Sequence, residues 1–96
     1  MKEEIINNHF VDKIRETMEI DEEEYLRLRN ALICLAEEWK NVKYIDKELA
    51  SYLYAIPLMV RNEFLSLKEV SKNESFCDRL EDIWIELDDL VATCFS

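Results

Sequence analysis

The chain of 96 residues carries 22 acidic and 12 basic side chains, for a net charge of −10, and 49% of it is apolar. That apolar share fills one core, so residues 1–96 are expected to form a single helical domain rather than two domains or a disordered chain. The charge disfavours direct contact with nucleic-acid phosphates or anionic membrane, and the absence of Gly with only one Pro excludes glycine-rich phosphate loops and tight glycine hairpins.

Four helices are predicted. The first spans about residues 2–19, with Ile6, Phe10, Val11, Ile14 and Met18 on one apolar stripe. Asp21 is the predicted N-cap of the second, and Glu24 three residues on completes a capping-box pattern. This helix runs to about Lys40, with Tyr25, Leu28, Leu32, Leu35 and Trp39 at the alternating spacing of a packed seam. Asp46 is the next N-cap, and the third helix runs from about Lys47 to Ser71 with Leu49, Leu53, Ile56, Val60, Phe64 and Leu67 on its main stripe. Pro57 falls inside it. Proline lacks the backbone donor and crowds the preceding turn, so a kink is expected, or a break with Pro57 opening a separate helix. Ser75 is the predicted cap of the fourth helix, Phe76 to about Cys94, whose stripe of Phe76, Leu80, Ile83, Leu87, Leu90 and Cys94 is widened by Trp84 and Val91. Short loops make consecutive helices antiparallel neighbours. The expected fold is therefore all-α, an antiparallel up-down-up-down four-helix bundle with its third helix kinked or broken at Pro57.

The chain offers little for chemistry. His9 is the only histidine, which excludes two-histidine zinc sites and paired di-iron motifs. No catalytic residue, cofactor or metal is expected. Cys34, Cys77 and Cys94 are odd in number and lack a CxxC pair, which suits a reduced cytosolic protein, each cysteine being a small buried residue. The start holds Lys2, Glu3 and Glu4 with no apolar h-region after them, and no run of about 18 apolar residues occurs. A cytoplasmic protein, or a fragment of a larger one, is the expectation. The aromatics Trp39, Tyr44, Tyr52, Phe64 and Trp84 are assigned to the core.

Charge distribution says more than the total. Residues 75–96 hold six acids and one base, Arg79, which is half the net charge. On a helical wheel Asp78, Glu81, Asp82, Glu86, Asp88 and Asp89 lie opposite the core stripe, with Ile85 in their midst and Ala92 one heptad on. Like charges this close weaken a helix by a few tenths of a kcal/mol per pair. The arrangement is that of a binding patch, an apolar anchor ringed by charge, or of a solvated face with one chance isoleucine. A second candidate surface is Tyr54, Leu58, Arg61 and Leu65, off the main stripe of the third helix. A helix apolar on two sides is either central in its bundle or in contact with another molecule. Leu26 and Ile33 pose the same choice on the second helix.

Across the middle third of the chain, Glu37-Glu38-Trp39, Ile45-Asp46-Lys47-Glu48-Leu49 and Tyr54-Ala55-Ile56-Pro57 resemble small helical immunity proteins of bacterial toxin–immunity systems, including contact-dependent inhibition. The resemblance implies a cognate toxin domain as partner and no catalysis. The charge by itself points to a partner with a basic surface, such as the phosphate-holding site of a nuclease, onto which an acidic protein is steered. Two alternatives stand beside it. One is a phage-type inhibitor that mimics nucleic acid, of the anti-restriction or anti-CRISPR kind, although the acids extend along only about three helical turns. The other is a self-associating structural or regulatory protein, with Tyr54, Leu58 and Leu65 as a homodimer seam.

Overall fold

Helix starts are set by side chains that accept orphan backbone N–H groups. In the computed structural model, which describes residues 2–70 and 72–96, Asp21 accepts from the Glu24 N–H at 3.1 Å and Asp46 from the Leu49 N–H at 3.1 Å. Each cap opens a long helix. Five helices result: α1 (Lys2–Ile6), α2 (Phe10–Thr17), α3 (Glu22–Trp39), α4 (Lys47–Leu67) and α5 (Glu74–Phe95), with no strand among the described residues.

The expected first helix is two. Asn8 divides it: its Oδ1 accepts from the Phe10 N–H at 2.9 Å, and its Nδ2 donates to the Glu24 carbonyl at 3.0 Å. Such a turn competes with the helical ladder and ends α1. The Glu24 carboxylate accepts from the His9 N–H at 3.0 Å, so the reciprocal half of the expected capping box serves α2 instead of its own helix. The split rotates the stripe. Ile5 is fully buried, whereas Met18, expected in the core, ends α2 in the left-handed region at φ 56° and is exposed.

Two other boundaries also differ. Asn73, not Ser75, caps α5, its Oδ1 accepting from the Phe76 N–H at 3.0 Å. The α4 helix runs unbroken through Pro57, which excludes a separate helix starting there. It ends at Leu67, and Ser71, the expected end, lies outside the described residues.

The core is built from Ile5, Phe10 and Ile14, from Tyr25, Leu28, Leu32 and Leu35, from Leu49, Leu53, Ile56 and Val60, and from Leu80, Ile83, Leu87, Val91 and Cys94. It is entirely apolar, so hydrophobic burial holds the helices together. Residue pairs fix how they sit. Glu22 meets Arg79, Arg29 meets Glu86, and Cys94 Sγ donates to the Leu32 carbonyl, so α5 runs alongside α3 in the same direction. Tyr54 stacks on Phe95 and Arg61 lies over Trp84, so α5 runs against α4. Although consecutive, α3 and α4 are not neighbours: α5 separates them on one side and α1 with α2 on the other. The connection through residues 40–46 therefore crosses the end of the bundle diagonally, contrary to the expectation that short loops join adjacent helices.

Candidate functional site

The outward face of α5 is an acidic ridge. Asp78, Glu81, Asp82, Asp88 and Asp89 are exposed around Ile85, which is 45% exposed. None of these five acids takes part in an ion pair among the described residues. The basic side chains of the first three helices, by contrast, are spent on acids elsewhere. Lys2 binds Asp46 at 2.8 Å, Lys13 binds Asp21 at 2.7 Å, and Arg27 pairs with Glu24. These bonds hold the capping carboxylates of Asp21 and Asp46 below the usual carboxylate range, the lysine hydrogen bond being the largest cause in each. Arg79, the only base of α5, forks onto Glu22 of α3 at 2.9 and 2.7 Å. This bidentate contact lowers the Glu22 carboxyl.

Glu86 differs from the other acids of the face. It accepts from the Tyr25 hydroxyl and pairs with Arg29 at 3.2 Å, so it belongs to the α3–α5 contact. Burial, then the carboxylate beside it, pushes the Tyr25 phenol up, which keeps it a neutral donor.

The second candidate surface meets the first. Tyr54, Leu58 and Leu65 are exposed, at 64%, 52% and 41%, so α4 is not central with both sides buried. Tyr54, Pro57, Leu58 and Arg61 form one wall of an open groove of about 610 Å³. Trp84, Asp88, Val91, Ala92 and Phe95 of α5 form the other. The groove is aromatic at both ends: Tyr54 stacks on Phe95 with centroids 4.9 Å apart, and the Arg61 guanidinium lies 5.6 Å over the Trp84 ring. Trp84 Nε1 is buried and finds no acceptor among the described residues. Asp88 belongs to both the ridge and the groove, so the two candidate surfaces form one.

A third contribution comes from α3. Arg29 faces α5 through Glu86, and Leu26 and Ile33 lie three residues before and four after it, on the same side of the helix. Both are exposed. The acidic ridge is thus flanked by exposed apolar residues on both neighbouring helices. Wheel geometry located the ridge and the two stripes separately. Their junction has no local sequence signal, because it depends on α5 lying between α3 and α4.

Other expected positions fall elsewhere. Cys77 and Cys94 are buried, but Cys34 is exposed on α3. Tyr44 is almost wholly exposed in the connection through residues 40–46, while Trp39, Tyr52, Phe64 and Trp84 are half-buried against the core. His9 is exposed. No group of His, Cys, Asp and Glu that could hold a metal ion occurs among the described residues. Among the described residues, no helix is long and apolar enough to cross a membrane.

No protein-family model matches this chain, and neither a curated protein nor a solved structure is significantly similar to it.

Proposed function

We propose that this protein is a non-catalytic acidic binding protein that neutralises a cognate toxin domain in the bacterial cytoplasm by covering its basic surface, a nuclease being the first candidate. One observation carries the reading: five acids with no ion-pair partner among the described residues surround exposed Ile85 on the outer face of α5, while Arg27 and Arg29 of α3 and Arg79 of α5 itself are paired with other acids. Uncompensated charge of one sign raises the association rate with an oppositely charged partner, and an apolar anchor at its centre supplies the desolvated contact that slows release. In this reading the scaffold is an up-down-up-down bundle bent at Pro57, where the helix forgoes the hydrogen bond to the Leu53 carbonyl.

The nucleic-acid mimic is the weaker reading. Asp78 to Asp89 spans about 16 Å of helix, roughly half of one turn of a duplex. A dimer through this face would bring two sets of uncompensated acids together.

The test uses the purified chain as bait in a lysate of its host, with the retained protein identified by mass spectrometry. Recovery of one basic toxin-like domain at equal stoichiometry is expected, with retention lost in Ile85→Asp and in Asp82→Lys while circular dichroism stays unchanged. Association should slow as salt rises from about 0.05 to 0.5 M, the range over which surface charges become screened. Retention of a restriction or CRISPR nuclease would replace this reading with the mimic. Undiminished retention by both variants would remove the ridge from the interface.

A further inference from the structure

We infer that the groove between α4 and α5 is the seat of a basic amphipathic helix of the partner, an inference that rests on the partner reading above and specifies what docks. Three observations define the occupant. The first is shape. Two antiparallel helices leave a channel open along its length, running from Trp84 to Phe95 on one wall, about 16 Å or three helical turns. Such a channel takes the ridge of a third helix, with anchors on one stripe. The second is chemistry. Tyr54, Leu58, Trp84 and Phe95 present aliphatic and aromatic surface, with the Trp84 indole N–H buried and unpartnered beside it. Several apolar anchors on one stripe cover that surface.

The third observation is charge, and it gives the helix an orientation. Along the α5 wall stands the acidic ridge, beginning with Asp88 inside the groove itself. The opposite wall carries Arg61. A helix seated here therefore needs Lys or Arg on the edge over α5 and neutral or acidic side chains on the edge over α4. A second copy of this chain meets the groove with a net charge of −10, and an anionic lipid meets it with its headgroup, so each is repelled by the ridge.

The groove carries its own reporter. With Trp39→Phe, Trp84 is the only indole. The probe is a synthetic leucine–lysine peptide of roughly 20 residues, beyond the length at which isolated helices are marginal, with its leucines on one stripe, lysines on the edge that meets α5 and glutamines on the edge that meets α4. A saturable blue shift of Trp84 emission is expected. Affinity should fall at least about tenfold, near 1.4 kcal/mol, for a leucine–glutamate peptide of the same pattern, for a scrambled leucine–lysine peptide, and on Leu58→Arg. No shift, equal binding of the glutamate or scrambled peptide, or full binding to Leu58→Arg would each overturn the inference. Sedimentation of the protein alone supplies the remaining arm: a mass that doubles with concentration, and no longer does so in Leu58→Arg, would assign the groove to a second copy. Failure here is separable from failure of the toxin-neutralising reading. A partner lost by Asp82→Lys but kept by Leu58→Arg would remove the groove and leave the ridge.

Discussion

At the scale of single residues, the capping positions carry the most direct consequences. Asn73 accepts from the third N–H of α5, whereas Ser75 already lies within the first turn. Asn73→Ala is expected to lower stability by about 1 kcal/mol, and Ser75→Ala to change it little. Equilibrium urea unfolding checks both, and equal losses would mean that the cap is shared. Met18 holds a left-handed backbone conformation at the end of α2, and its side chain is mostly in water. A side chain with a Cβ strains there, and glycine does not. Met18→Gly should raise stability by roughly 0.5–1 kcal/mol in the same experiment. A loss would show that Met18 packing outweighs its backbone strain.

At the scale of elements, α5 contacts each of its long neighbours in a different way. Against α3 it makes polar contacts around an apolar seam: Arg79 with Glu22, and Glu86 with Tyr25 and Arg29. Against α4 it makes aromatic contacts and leaves the groove. The acids of α5 are accordingly unequal. Glu86→Lys would leave the Tyr25 hydroxyl without its acceptor and set a cation against Arg29, at a cost on the order of 1 kcal/mol or more. Asp82→Lys, on the open ridge, should leave stability within about 0.5 kcal/mol of the parent protein. Thermal unfolding of the two variants separates these roles. Equal midpoints would mean that the Glu86 contacts contribute nothing net. The contrast makes Asp82, not Glu86, the clean probe of the binding surface.

At the scale of the whole molecule, the uneven pairing of charge governs the response to pH. Asp21, Glu22, Glu24 and Asp46 are all held below their ordinary pKa values by hydrogen bonds present only in the fold. A carboxyl depressed by folding stabilises the protein above its unfolded pKa, about 4, and that stability is lost as pH falls through the lower folded value. The thermal midpoint should therefore be flat from pH 7 to about 5.5 and fall below about pH 4. Asp21→Asn with Asp46→Asn keeps both caps but removes their titration, and should make the acid limb shallower. An acid limb unchanged in the double variant would place the sensitivity elsewhere.

The sequence by itself determined the helical class, the three long helices, most of the core and the acidic face of α5. Each of these is written locally, in a 3.6-residue periodicity or a capping side chain. Leu49, Leu53, Ile56 and Val60 could be placed from spacing alone, as could Ile85 among its acids. Tertiary structure decided the rest. The Glu24 carboxylate chose the distant His9 N–H over its own helix start, and Asn8 turned the chain between α1 and α2. Tyr54, Leu58 and Leu65 proved exposed because, among the described residues, no helix covers the side of α4 that opens beside α5. That arrangement places α5 in the middle of one broad face and joins the acidic ridge to the groove. Neither helix encodes the junction, since periodicity gives each helix its own faces and only packing decides which faces meet.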